Sequence, residues 1–176
     1  QHWRAISLAL ALTSITLSWG VALLSQPPLW LSLAAFGISA LFIIYTTSVI
    51  LVLLPRVQSV TVHTIAAALS LYLLLGILGG VLFTLVEVIA PGSLASNVGS
   101  LPHSTHAADL FPALLYFSFS TLTTVGLGDI YPVSPTARAV AILEAVAGQL
   151  YLVVMVAVLV GMFAAERARR DDGVRG

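Results

Sequence analysis

The run Ser120-Thr121-Leu122-Thr123-Thr124-Val125-Gly126-Leu127-Gly128-Asp129 has its chemistry in the main chain. Gly126 and Gly128 can take backbone angles that other residues avoid. Glycines alternating with side-chain-bearing residues can aim successive carbonyls of Thr124, Val125, Gly126, Leu127 and Gly128 the same way. A ring of such carbonyls replaces the water shell of a dehydrated cation, and the Thr124 hydroxyl adds a further oxygen layer. Long apolar stretches flank the run, so this is irregular backbone at membrane depth. Lipid tolerates such backbone only where it lines a polar path.

The elements that must position this run are membrane spans. Of the residues, 59% are hydrophobic and 8% charged, against about 25% charged in a soluble domain. Mean hydropathy is +1.06. Formal net charge is zero, and the seven basic residues, all Arg, form no long patch, so no nucleic-acid partner is expected. There is no cysteine, which excludes disulfides and thiolate metal sites. No metal-ligand cluster, nucleophile pair or phosphate loop argues for an enzyme or an organic cofactor.

A helix crosses about 30 Å of hydrocarbon with about 20 apolar residues. Four stretches qualify: about Ala5–Leu24, ended by Pro27-Pro28; Leu29–Leu54, ended by Pro55; His63–Ile89, ended by Pro91-Gly92; and Thr136–Ala165. Residues 91–109 read as a polar loop. Residues 110–122 are apolar but too short to span, and read as a re-entrant helix. Asp109 is expected to cap it, with Pro112 in its first turn. Arg4, Arg56, Arg167, Arg169, Arg170 and Arg175 mark one side and Arg138 the other. The positive-inside rule then puts both termini in the cytoplasm and the loop 91–109 outside. The first two spans lack the arginine ladder of a voltage sensor. Thr46, Thr47 and Ser48 are expected to bond to a neighbouring helix, Glu87 to snorkel to the outer interface, and the tail Glu166–Gly176 to fray. His103 and His106 sit at i, i+3 in the outer loop, a spacing that suits zinc or a pH response.

Thr123-Thr124-Val125-Gly126-Leu127-Gly128-Asp129, followed by Ile130-Tyr131-Pro132 and Arg138, resembles the pore domain of the potassium channel family over roughly residues 64–165. The filter differs from the family signature at Leu127, where Tyr is usual; the second pore loop of two-pore-domain channels often carries Leu there. The resemblance implies an all-α membrane protein: four transmembrane helices, with a re-entrant pore helix and selectivity filter between the third and fourth. Residues 1–62 would be two peripheral helices, 63–166 the pore domain and 167–176 a charged cytoplasmic tail. No internal repeat is visible, so one chain supplies one pore loop and a homotetramer in the cell membrane is expected, with lipid around it.

The implied roles follow by residue. K+, as the permeant ion, would bind at Thr124, Val125, Gly126 and Leu127. Thr123, Asp129, Tyr116, Ser120 and Glu144 would support the filter. Ser120 stands where many bacterial relatives carry a Glu that pairs with the filter Asp; a Tyr116 hydroxyl bond to Asp129 is the candidate replacement. Leu127 is expected to keep apolar packing behind the filter, beside Tyr116 and Phe117, while losing the Tyr hydroxyl. Glu144 lies within the fourth span, where a charge costs about 2.5–3.5 kcal/mol. It should face the back of the pore helix and meet Ser118, Ser120 or Thr121, in a structural or a gating role. Gly148 falls at the family's hinge position, as a hinge or a close-packing point, while Gly161 is expected to pack. Gln149, Leu152 and Val156 would line the inner cavity. The expected function is passive potassium-selective conduction without voltage-sensor gating. The alternatives are a weakly selective cation channel, a potassium-uptake transporter subunit and a non-conducting membrane subunit.

Overall fold

The computed structural model describes residues 11–17, 19–21, 24, 28–53, 61–98 and 107–175. A short apolar helix α1 (Ala11–Val21) precedes α2 (Leu29–Leu53) and α3 (Val62–Ile89). A strand β1 (Leu94–Ser96), the helix α4 (Ala107–Leu122), a strand β2 (Ile130–Pro132) and α5 (Pro135–Arg175) follow. Among the described residues three helices are long and apolar enough to cross a membrane: Leu29–Val49, Val62–Ile89 and Pro135–Ala164. The protein is an all-α membrane protein with a small extended ribbon. Of the expected first span, Ala11–Val21 is described; Arg4, Arg56, His103 and His106 lie outside the described residues.

Local chemistry sets the helix starts. Thr61 caps α3, exchanging hydrogen bonds with Thr64 in a capping box, an arrangement whose cap alone contributes about 1 kcal/mol. The Ala137 N–H donates to the Ser134 hydroxyl at 3.1 Å, and Pro135 takes the first helical position of α5, where it has no N–H to lose. The short helix α4 begins earlier than the sequence suggests. Asp109 is therefore inside its first turn, and Pro112 is inside the helix. Asp109 still favours the positive end of the helix dipole, whereas Pro112 removes one internal hydrogen bond.

Two apolar clusters hold the elements together. Phe83 and Val88 of α3, Leu110, Leu114 and Phe117 of α4, Ile130 of β2 and Ala137 of α5 form the first. Phe83 and Phe117 meet edge to face at 4.8 Å. The second joins Ala40 and Ile43 of α2 to Val81 of α3, and Phe36 extends it to Phe111 of α4 at 5.8 Å. The core thus centres on α4, gripped by α3 on one side and α5 on the other.

Five expectations about the periphery are corrected. The loop after α3 is ordered in part as β1, antiparallel to β2 with Ala95 opposite Tyr131. Glu87 does not snorkel: its carboxylate is buried and accepts from the Gly92 N–H at 2.7 Å and the Leu94 N–H at 2.8 Å. Two charge-assisted bonds to backbone that has left the helix outweigh the reach to water. The tail does not fray, since α5 continues as helix to Arg175. In α2, the Thr46 and Ser48 hydroxyls donate to their own helix, at Phe42 and Ile44, rather than to a neighbour. The Thr47 hydroxyl oxygen is buried without a hydrogen-bond partner. Gly161 packs against nothing within 4 Å of where its Cβ would be.

Candidate functional site

The segment Thr123–Asp129 leaves the C-terminus of α4 and runs to β2 without regular structure. Positive φ recurs at every second residue: Thr124 (60°), Gly126 (58°) and Gly128 (77°). Glycine takes this conformation without cost, while Thr124 is a non-glycine residue held in a sparsely populated region, which costs about 1–3 kcal/mol.

The N–H groups of this segment turn back onto α4. The Thr124 N–H donates to the Thr121 carbonyl at 3.0 Å and the Gly126 N–H to the Ser120 carbonyl at 3.1 Å. The Leu127 N–H donates to the Ser120 hydroxyl at 3.2 Å. Every peptide here is trans, so each carbonyl points opposite to the N–H of its own peptide unit. The carbonyls of Thr123, Val125 and Gly126 are therefore turned away from α4, onto a face where residues 123–128 are all exposed. The C-terminal end of α4, the negative end of its dipole, points to the same place. The arrangement presents oxygen to a cation.

Ser120 thus clamps two successive filter N–H groups, one through its backbone and one through its side chain. Asp129 is braced separately. The Tyr116 hydroxyl donates to Asp129 Oδ2 at 2.8 Å, and Asp129 Oδ1 accepts from the Ile130 N–H at 3.0 Å. The hydrogen bond to Asp129, then burial, then the Asp129 charge push the Tyr116 phenol above its ordinary value of 10.0. The hydroxyl of Thr123 donates to the Phe119 carbonyl at 2.6 Å. In the single chain the Leu127 side chain is 61% exposed, and Phe117 packs on Phe83.

Behind α4, Glu144 of α5 is buried beside Ser118. The Ser118 hydroxyl oxygen lies 2.5 Å from Glu144 Oε1 and 2.6 Å from the Gly76 carbonyl of α3. Of the three expected partners, Ser118 is the one that meets Glu144. The Gly148 backbone closes on Leu122, the last residue of α4: a Cβ there would stand 2.7 Å from the Leu122 carbonyl. The helix α5 runs unbroken through this point, so Gly148 is a site of close approach in this conformation. Gln149, Leu152 and Val156 are exposed on α5.

Several residues at the site carried no functional reading from the sequence. Gly76, Gly79 and Gly80 form a stripe on α3 into which α4 and Glu144 fit: Cβ atoms there would strike Phe119, Glu144 with Ser118, and the Leu115 backbone. The spacing Gly76-x-x-x-Gly80 is the available signal. The Tyr72 hydroxyl donates to the Leu122 carbonyl at 3.3 Å, and Tyr151, stacked on Tyr72 at 5.8 Å, donates to the Ala68 carbonyl at 2.6 Å. Asn97 of the outer loop donates to the Gly128 carbonyl at 3.3 Å.

No curated protein and no solved structure shows significant similarity to the chain. Residues 73–165, more than half of the chain, match the family model described as an ion channel. The matched segment takes in most of α3, all of α4, the segment Thr123–Asp129 and the spanning part of α5. A pore helix, an exposed carbonyl array and two flanking spans within one matched segment place the protein in the potassium-channel pore-domain family of ion channels.

Proposed function

We propose that this protein is a passive, potassium-selective channel formed by four copies of the chain in the cell membrane, with both termini cytoplasmic. The observation that carries this reading is the exposed carbonyl array of Thr123, Val125 and Gly126, created by turning the adjacent N–H groups onto α4. Polar backbone at membrane depth needs a protein or aqueous neighbour, and a single protomer leaves this face uncovered. Copies related by a rotation axis supply the neighbour and close the carbonyls into rings. K+ then binds between the rings at Thr124, Val125, Gly126 and Leu127 in place of its hydration shell.

The exposed face of α5 that carries Gln149, Leu152 and Val156 lines the approach below the filter in this arrangement. Residues 5–54 hold no arginine ladder, which supports gating by something other than a moving voltage sensor. The exposed Leu127 side chain favours one second reading, a weakly selective cation channel, because no hydroxyl pins it to the pore helix.

Purified protein in liposomes, with potassium on one side and sodium on the other, tests both readings. A reversal potential near the potassium equilibrium value supports selective conduction. A value near zero with clear current supports the weakly selective pore, and cross-linking that stops below four copies overturns the tetramer.

A further inference from the structure

The Glu144 network contains more acceptors than one hydroxyl can serve. Ser118 Oγ lies within hydrogen-bond distance of the Gly76 carbonyl and of Glu144 Oε1. A serine hydroxyl has one proton, and a carbonyl only accepts. If Glu144 were a carboxylate, Ser118 could donate to one neighbour, and its lone pairs would face the other at 2.5–2.6 Å. Both contacts are satisfied only if Glu144 Oε1 carries a proton and donates it to Ser118 Oγ, which in turn donates to Gly76.

The rest of the carboxyl group agrees. Glu144 Oε2 is buried and has no hydrogen-bond partner. An unpaired oxygen on a neutral acid costs far less than one on a buried charge. Among the described residues, no cation lies against the carboxyl group. From α3 the facing titratable group is Tyr72, and Tyr151 of α5 stacks on it. Both hydroxyl protons are already given to backbone carbonyls. On α4 the ionisable residues are Asp109, at the far end, and Tyr116, whose hydroxyl serves Asp129. Arg138, toward the outer end of α5, donates to the Pro132 carbonyl.

We propose that Glu144 is a neutral carboxylic acid whose proton ties α5 through Ser118 to Gly76 of α3, and that removing this proton at alkaline pH releases the pore helix and lowers conduction. Glu144 is a positioning residue: it is buried behind α4 and acts through Ser118. Ser118 lies two residues before Ser120, the residue that holds the Gly126 and Leu127 N–H groups. A carboxylate at this place leaves one proton for two acceptors. Either the Gly76 bond or the Glu144 bond must open, and a buried charge then draws water behind α4. The conduction half of this inference rests on the channel reading above; the proton assignment does not.

The test compares the wild type with Glu144→Gln, whose amide donates to Ser118 but cannot ionise. Infrared difference spectra of the two reconstituted proteins read the proton directly. The expected result is a protonated-carboxyl carbonyl band in the wild type at neutral pH that is missing from the variant; no such band overturns the assignment. Potassium flux into liposomes is followed as pH rises, staying below the range near pH 10 where tyrosines ionise. Wild-type flux should fall about tenfold, the effect of losing one strong hydrogen bond, while Glu144→Gln stays level. Equal pH profiles overturn the coupling to the filter. Ser118→Ala, which breaks the relay from the other side, should shift the infrared band and lower flux at every pH; an unmoved band overturns the relay. A band without flux in any variant supports the proton assignment and overturns the channel reading.

Discussion

Replacing Ser120 by Ala isolates one of the bonds that hold the Thr123–Asp129 segment to α4. The backbone acceptor for the Gly126 N–H remains, and the side-chain acceptor for the Leu127 N–H is lost. A net hydrogen bond contributes about 0.5–1.5 kcal/mol. This one is long, at 3.2 Å, and exposed in the protomer, so the lower part of that range applies, about 0.5–1 kcal/mol per copy. Each copy then favours a displaced Leu127 peptide by about 2- to 5-fold. If four copies move together, the sum of about 2–4 kcal/mol shifts the balance between conducting and non-conducting filter by about 30-fold or more. Single-channel recording in planar bilayers reads this as longer closed dwells at unchanged unitary current. Ser120→Thr, which keeps a hydroxyl, should restore the wild-type ratio. Unchanged dwell times in Ser120→Ala would refute the reasoning, since the hydroxyl would then carry none of the filter's restraint.

Other perturbations probe the supports. Gly79→Ala places a Cβ against Glu144 and Ser118, an overpacking that costs about 1–3 kcal/mol and should lower the melting temperature in detergent. Glu87→Gln replaces one acceptor oxygen by an NH2 group facing a backbone donor. It should cost about 1.5–3 kcal/mol and speed hydrogen exchange at Gly92 and Leu94. The Tyr116 phenol is raised above 10.0 by its bond to Asp129. Its contribution is therefore present below the ordinary tyrosine value and lost as pH rises through the raised one. Tyr116→Phe should remove this alkaline step from a stability-against-pH curve without creating one at neutral pH. Asn97→Ala frees the Gly128 carbonyl and should change external cation block more than inner-side block.

The parts of the site legible in the sequence are those fixed by the local backbone. Alternating glycine at 126 and 128 marked the carbonyl segment because only positive φ lets that stretch turn its N–H groups one way. The Tyr116 bond to Asp129 and the Glu144 contact to Ser118 were reachable through the resemblance to the channel family, which implied which positions lie against the segment and against α4. Glu87 was misread because its partners are main-chain N–H groups of a loop, and every residue type carries those. Ser120 was expected to support the segment, but its partners escaped for the same reason: they are the main-chain N–H groups of Gly126 and Leu127. Thr124 takes positive φ against its residue type, held by its N–H bond to Thr121, which composition does not announce. The ribbon of β1 and β2 escaped because three-residue strands give no period to read.

The glycine stripe on α3 also bears on how the chain enters the bilayer. Gly79 leaves a hollow that Glu144 and Ser118 fill together, so α5 inserted alone carries its carboxyl group into hydrocarbon with no partner. The re-entrant α4, ten or more apolar residues that cannot span, likewise has no resting place until Gly76 and Gly80 receive Phe119 and Leu115. Neither element is at home in lipid by itself. The glycine face of α3 therefore bears on insertion as well as packing: Phe119, Leu115 and the Glu144 carboxyl group find their partners only once α4 and α5 dock on it. Lengthening that face by bulkier residues would stall the chain at insertion, before any question of conduction arises.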